Sequence, residues 1–439
     1  MYNWISKYLP DSLKSRAEAA TFLALAGCIS LSLVSIAASQ ILLAATIAGF
    51  LWLWKKQKIS FAPVKPILLP LLAFMIWTTI AVFASSNISL SLQITKKFFL
   101  FLIVLLVPLL VRGNGKLTWI YRFIFAVTVV SSLGGLVQYA VNPDRDLLNR
   151  ISGFMSQWMT YAGLLMLVLV LLTAYAFCIG IRKDKWVIPV AVFIVLALIL
   201  TLTRNAWAGA IAGIIVLTLM RRPKAIIILF AVILLSYALS PQFIKQRLEA
   251  IVSMKDPRFH AFLTAAYIIQ DNPWFGVGPK NVQFEAQAYR EEKEFPDWLK
   301  KLVGMLSSPS QYREEEKKLP GWLYQHMHNN FLQIAAENGI PGLILWLWFM
   351  IRLVWDALRC YRHANGSLFT GEEGVRRAAL TASSAAIAAW VALMVAGLFE
   401  YNFGDSEVLM FFLFLAGSPY AFLHLRPEAK NTNQSASER

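Results

Sequence analysis

Tyr161-Ala162-Gly163-Leu164-Leu165-Met166-Leu167-Val168-Leu169-Val170-Leu171-Leu172-Thr173-Ala174-Tyr175 carries no charged side chain and lies inside an apolar segment that reaches from about residue 154 to 180. A helix rises about 1.5 Å per residue, so roughly 20 such residues cross the hydrocarbon of a bilayer. A soluble helix would turn one polar face to water. Here that face is missing, and the pattern recurs along the chain, with 58% hydrophobic and 15% charged residues. The expected fold is an all-α integral membrane protein of about twelve transmembrane helices. They fall near residues 19–38, 40–54, 66–84, 97–111, 117–141, 154–180, 186–202, 205–220, 224–240, 341–358, 378–399 and 407–424. The second and eighth are short, and 40–54 also reads as the second arm of a hairpin that does not fully cross.

Basic residues mark alternate connections. Lys7, Lys14 and Arg16 precede the first segment, and Lys55, Lys56 and Lys58 follow the second. Arg112 with Lys116, Arg182 with Lys183 and Lys185, and Arg221 with Arg222 and Lys224 continue the pattern, as do Arg359, Arg362, Arg376, Arg377 and Arg426. Short loops rich in Lys and Arg stay in the cytoplasm, so both termini are expected there. The net charge of +16 then sits mainly in cytoplasmic turns facing anionic lipid, with no sign of DNA or RNA binding. The three cysteines outline no disulfide framework: Cys28 and Cys178 fall in apolar segments and Cys360 in a cytoplasmic turn. Residues 1–18 read as a short interfacial helix, not a cleavable signal peptide.

The chain thus divides into an interfacial segment (1–18), nine membrane helices (19–240), a large external loop (241–340), three further helices (341–426) and a polar tail expected to be disordered (427–439). The loop carries Trp274, Phe275, Phe284, Tyr289, Phe295, Trp298, Tyr312, Trp322 and Tyr324, too many aromatics for a linker. Prolines punctuate it, so it reads as a small helical unit capping the external helix ends. Within it, Glu314 to Lys318 reads as a solvated helix face. Asp271-Asn272-Pro273-Trp274-Phe275-Gly276-Val277-Gly278-Pro279 is a turn and a glycine-bearing bend. It is either a structural turn or one in which Gly276 and Gly278 aim main-chain amides at an anion.

The chemistry-bearing residues gather at the external boundary. His328-Asn329 precedes an amphipathic stretch with Phe331, Leu332, Ile334 and Ala335 on one side and Gln333 and Glu337 nearer another. Gly339 stops that helix, and Pro341 suits the first turn of the next. His328 is then expected at the positive end of a helix dipole, which disfavours imidazolium and suits a base, although capping or packing is the commoner role for such a histidine. Arg204 stands between two apolar segments that leave almost no loop, where an arginine either meets an anion or snorkels to headgroups. Arg258 follows Asp256-Pro257, and a surface salt bridge with Asp256 is its ordinary explanation. Together, Arg204, Arg258 and His328 are the parts needed to hold a pyrophosphate and activate a hydroxyl. Glu400, Tyr401 and Asn402 end one segment externally, and Gln157, Trp158 and Tyr161 begin another. Lys280 and Arg145 extend the positive surface toward phosphorylated core sugar or headgroups on the same footing: each of these residues either lines the site or anchors at the interface.

His328-Asn329, nine residues, Gly339, two residues, Gly342 resembles the signature of the O-antigen ligase and polymerase superfamily, bacterial envelope glycosyltransferases of the GT-C class. The resemblance extends to Arg204, to Arg258 with Pro273, Gly276 and Gly278, and to the order of segments around one large loop. It implies a GT-C-like fold in the bacterial inner membrane with a periplasmic active site. It also implies transfer of a glycan from undecaprenyl pyrophosphate to the lipid A core of lipopolysaccharide. By carry-over, Arg204 and Arg258 bind the donor pyrophosphate and His328 activates the acceptor. Asn329, Gly276 and Gly278 join the substrate-binding set. The implied enzyme is inverting, with no metal or cofactor. Asp405-Ser406-Glu407, an acidic pair at the external boundary, reads as a solvated turn.

A polymerase shares this chemistry and takes a second lipid-linked repeat unit as acceptor, and a protein O-oligosaccharyltransferase is a further relative. The single large loop before the histidine fits the ligase better, by analogy. A transporter or flippase would place polar residues or broken helices near the membrane midplane, often in two related halves. Here the segments are apolar through their centres, and the polar residues gather at one face.

Overall fold

The computed structural model describes residues 15–56, 59–111, 114–142, 150–181, 183–239, 242, 258–292, 325–366, 369 and 372–423. Arg145, Asp256 and the Glu314–Lys318 run lie outside the described residues, as do most of the interfacial segment and the C-terminal tail. The described residues contain no strand. Their helices, numbered here in chain order, are α1 (Arg16–Leu31), α2 (Ile36–Lys56), α3 (Lys65–Phe83), α4 (Ile88–Leu110, α-helical at both ends and 3-10 between), α5 (Asn114–Val141), α6 (Trp158–Tyr175), α7 (Val187–Leu200), α8 (Arg204–Arg221), α9 (Ile226–Leu239), α10 (Arg258–Asp271), α11 (Val282–Glu292), α12 (Asn330–Asn365), α13 (Glu373–Ala396) and α14 (Ser406–Gly417).

Helices α10 and α11 belong to the large loop, and the other twelve fall on the twelve apolar segments. Seven are long and apolar enough to cross a bilayer: α2 to α5, α6 with the π turn that extends it to Gly180, α12 and α13. The segments of α7, α9 and α14 are shorter apolar helices. The protein is therefore a helical, multi-pass membrane protein. At 21 residues, α2 has the length of a full crossing, not of a partial hairpin arm.

Helices α6 and α13 form the centre, each with 83% of its apolar window buried by protein, against 28% for α2 at the periphery. Apolar residues turn outward at the periphery, and on α9 Ile227 is 76% and Leu234 69% exposed. In lipid the hydrophobic effect does not drive helices together, so small residues that allow close approach carry the packing. Helix α13 is rich in Ala and Ser, and α8 presents Gly209 and Gly213 to it. A Cβ at Gly209 would come within 2.6 Å of the Ala392 carbonyl, and one at Gly213 within 3.0 Å of that of Ala388. The two helices therefore pack backbone to backbone.

The basic helix ends meet at one end of the bundle. Arg221 Nη1 donates to Asn365 Oδ1 (3.1 Å), the Tyr361 hydroxyl to the Met220 carbonyl (2.8 Å), and Arg376 Nε to the Ala364 carbonyl (3.0 Å). At the opposite end α10 and α11 build a cap with its own small core, in which Ala261, Ala265, Ile268, Val277, Val282 and Ala286 pack with Met327 and Ala336.

The cap is joined to α12 at the glycine bends. Val277 N–H donates to Ala336 (2.9 Å), Gly278 N–H to Glu337 (3.1 Å) and Ile340 N–H to Pro273 (2.8 Å). Helix α12 kinks there: Gly339 adopts φ 72°, ψ 179°, between the short stretch that begins at Asn330 and the long one that holds Pro341. This backbone region is essentially closed to residues with a Cβ, and a Cβ at Gly339 would also run into the Trp274 carbonyl. Gly339→Ala is expected to destabilise the protein by about 1–3 kcal/mol or more, read as a lower unfolding temperature of the detergent-solubilised chain. Gly180→Ala is the comparison: it has positive φ (101°) but nothing within 4 Å of its Cβ position, so it isolates the cost of strain from the clash.

Candidate active site

The residue that opens α12 holds the site together. Asn329 Oδ1 accepts the Phe331 and Leu332 amides (2.8 and 3.0 Å), as an N-cap should. Its Nδ2 donates to the Leu398 carbonyl (2.9 Å). Asn330 continues the clamp: its amide donates to the Gly397 carbonyl (2.7 Å), and its Oδ1 accepts the Phe403 amide (3.0 Å). The segment before α12 is thus fastened to the turn that follows α13.

That clamp brings His328 to Glu400, with Nδ1 3.6 Å from Oε1. A second imidazole shares the same oxygen: His326 Nε2 is 3.7 Å from it, and the two rings are 4.1 Å apart. The Tyr401 amide donates to Oε1 (3.1 Å). Arg258, the first residue of α10, donates to the Phe399 carbonyl (2.7 Å) and places Nη2 3.7 Å from Glu400 Oε2. Four groups thus surround one carboxylate that is 5% exposed. His328 itself is 1% exposed and has φ 47°. Among the described residues, the other non-glycine positions with positive φ are Leu202, two before Arg204, and Lys280. All three lie at or beside candidate site residues, and strained backbone is common where a chain over-determines a functional position.

Burial opposes ionisation of Glu400, but the His328 contact and the charges of His326, His328 and Arg258 outweigh it and hold the carboxyl at about 2. Burial pushes His326 down to about 4, and the opposing pull of Glu400 does not restore it. At neutral pH the carboxylate is charged and His326 is not. His326 Nδ1 accepts the His328 amide (3.3 Å), so its neutral ring carries the proton on Nε2, toward Glu400. The ligand atoms of His326, His328 and Glu400 lie within 4.8 Å of one another, a spacing that can hold a metal ion. Arg258 already brings a positive charge to that carboxylate.

Glu400, Tyr401 and His326 line a cavity of about 420 Å³ with Gln93, Ile94 and Lys97 of α4, Gln157, Met159, Lys280, Gln283, Gln325, Gln333, Glu337, Gly404 and Asp405. A smaller apolar recess shares Ile94, Lys97, Glu337 and Tyr401 with it and is closed by Phe74, Phe98 and Phe101. In the wall, Gln333 Nε2 donates to Glu337 Oε1 (2.9 Å), which also accepts the Lys280 amide (2.8 Å). Lys97 donates to the Gly404 carbonyl (2.5 Å), and Lys280 to Gln93 (2.9 Å).

The expected site residues divide. Arg258, His328, Asn329, Glu400 and Tyr401 are joined by direct contacts, and Gln157 and Lys280 reach the same cavity. Arg258 turns to Glu400, a partner that spacing to Asp256 did not suggest. Asn402 is buried in the turn beside them. Arg204 begins α8, and the Gly209–Ala392 packing sets that end of α8 beside the end of α13 that leads to Glu400.

Tyr161 does not reach the cavity. It is fully buried, its hydroxyl donates to the Ser131 carbonyl (3.0 Å), and its ring fills the space beside Gly153. Gly276 and Gly278 do not offer amides to an anion, because those amides donate to Asn272 and Glu337. Their missing side chains instead let the bend lie against the α12 backbone and Ser85. Asp405 is not a solvated turn residue either. It faces the cavity and accepts the Thr160 hydroxyl (3.2 Å).

Sequence reading missed His326, Lys97, Gln333 and Glu337. A signal existed for two of them: His326-Met327-His328 places two of only five histidines two apart, and Lys97 is a charge at the start of an apolar segment. Gln333 and Glu337 stood on the polar side of the expected amphipathic helix, which does not say what they face.

Burial pushes the Asp405 carboxyl up to about 7, with Glu400 and Glu407 adding to the rise. An acid whose folded pKa lies above its unfolded value of about 3.9 binds more protons folded than unfolded. Its stabilising contribution is present at low pH and is lost as pH rises from about 4 to about 7. Asp405→Asn is therefore expected to raise the unfolding temperature relative to wild type at pH 8, with the gain vanishing near pH 4. A gain independent of pH would contradict the assignment.

Residues 189–347, a little over a third of the chain, match the family model described as O-antigen ligase. No curated protein matches the chain. The matched stretch runs from α7 through Arg204, Arg258 and His328 into α12, and it leaves Glu400 outside. A helical membrane protein with an O-antigen ligase region over residues 189–347 is consistent with a member of the O-antigen ligase and polymerase family of membrane transferases.

Proposed function

We propose that this protein is an O-antigen ligase. It transfers a glycan from undecaprenyl pyrophosphate to a sugar of the lipid A core, with inversion and without a metal, at the periplasmic face of the bacterial inner membrane. The observation that carries the reading is the convergence of Arg258 and His328 on Glu400, which itself lines a polar cavity at the end of the bundle opposite the basic helix ends. Short basic connections stay cytoplasmic, which puts the cavity and cap outside and both termini inside.

In the reaction an acceptor hydroxyl oxygen attacks the anomeric carbon of the donor. The bond from that carbon to the pyrophosphate oxygen breaks, and its electron pair leaves with undecaprenyl pyrophosphate. Arg258 and Arg204 offset the charge that builds on the leaving group, since guanidinium groups match phosphate oxygens two at a time. The hydroxyl proton passes to the His328–Glu400 pair, in which Glu400 stands at the cavity wall and His328 behind it. General-base contributions of this kind are worth about 10²–10⁴ in rate. Binding of the pyrophosphate to Arg258 also draws that cation from Glu400 and leaves the carboxylate a better proton partner for His328.

The test is complementation of a deletion strain, reading lipopolysaccharide and lipid-linked glycan separately. Wild type should restore long glycan on the lipid A core, whereas His328→Ala, Arg204→Ala and Arg258→Ala should leave bare core and accumulated lipid-linked glycan. Single repeat units on the core in the deletion strain would indicate a polymerase, and full activity in all three variants would sink the site. Glu400→Gln is expected to lower the transfer rate of purified protein by about 10²–10⁴ while donor binding persists. A rate within a few-fold of wild type would remove Glu400 from the proton path.

A further inference from the structure

The cavity wall has an unusual composition for a site that handles pyrophosphate: five of its side chains are glutamines. Gln93 accepts the Lys280 ammonium, and Gln333 accepts the Met327 amide (2.7 Å) and donates to Glu337. The side chains of Gln157, Gln283 and Gln325 make no hydrogen bond with the described residues, and all three are exposed along the cavity. A carboxamide offers two donors and an acceptor oxygen on one flat group, which suits neighbouring hydroxyls that each donate and accept.

The charges of the wall are balanced within it. Lys97 is tied to the Gly404 carbonyl and lies in the fields of Asp405, Glu337 and Glu407, while Lys280 is held by Gln93. A phosphate or carboxylate entering here would meet ammonium groups already donating to Gly404 and Gln93, and the carboxyls of Glu337, Glu400 and Asp405 in the same wall. Arg258 is not among the lining residues and meets the wall through Glu400, with Nη2 3.7 Å from Oε2. At about 420 Å³ the cavity has the size of a small-ligand pocket, and Tyr401 and Met159 add apolar surface for the C–H face of a ring.

We infer that this cavity is the acceptor-sugar subsite and that it takes an uncharged sugar, read by the idle glutamine amides. The Lys280 ammonium is part of the wall and does not serve as a receptor for a phosphorylated sugar. Glu400 then stands between this neutral, polyhydroxyl subsite and Arg258, the cation proposed for the donor's anion. The inference rests on the glycosyl-transfer reading, and it narrows that reading to the chemical class of the acceptor unit next to the bond being formed.

Saturation-transfer NMR on the full chain in lipid nanodiscs tests it, with maltotriose as the neutral probe and glucose 6-phosphate as the anionic one. Maltotriose should receive saturation and glucose 6-phosphate should not. Gln283→Leu and Gln157→Leu, both at exposed positions where folding is not at stake, should each weaken maltotriose binding about 3- to 10-fold, the worth of one or two hydrogen bonds. Equal or tighter binding of glucose 6-phosphate, or maltotriose binding untouched by both substitutions, overturns the inference even if glycosyl transfer is intact. Absence of glycosyl transfer by wild-type protein that still binds maltotriose would overturn the proposed function and leave the sugar pocket standing.

Discussion

Two adjacent asparagines bear the constraint on which the site depends. Asn329 and Asn330 spend their side chains and one amide on the turn between α13 and α14, at Leu398, Gly397 and Phe403. Each bond is modest in net terms, about 1 kcal/mol, but all lie in a buried setting where a missing partner is costly. Gly397 is part of the device, because a side chain there would run into the Asn330 amide. With the clamp closed, two segments about seventy residues apart present His328 and Glu400 to each other.

Electrostatics follows from that juxtaposition. A carboxylate buried to the extent of Glu400 is costly unless neighbours compensate it, and Arg258, two imidazoles and a backbone amide do so. The compensation also couples the large loop to the membrane helices, because Arg258 begins a cap helix while Glu400 lies in the turn that follows a bundle helix. A ligand that competes for Arg258 therefore alters the balance at Glu400. Under the proposed function, this is the link between donor and acceptor.

Much of the fold was legible because lipid imposes a coarse code. Backbone polar groups have no water partner in hydrocarbon, so each apolar run of sufficient length must be a helix, and all twelve runs are. The kink at Gly339 was equally readable, since a helix that stops at glycine and resumes at proline leaves a local signature. The bend at Gly276 and Gly278 was recognised as a bend, yet its purpose was not. Whether its amides serve an anion or another backbone depends on α12, sixty residues away in the chain. Tyr161 was misplaced for a related reason: the start of a helix looks the same whether it faces a cavity or a neighbouring helix.

Local order in the chain sufficed for the helices and for a boundary that gathers His328, Arg204 and Glu400, because hydrophobic runs and basic turns act over a few residues. Tertiary structure alone decided which of those polar groups touch. It gave Arg258 a partner in Glu400, and it brought His326, five glutamines and Asp405 to one cavity. The reason is that these relations are set by close packing of helices distant in sequence, such as α8 on α13 and the cap on α12. No spacing along the chain encodes the distance between them.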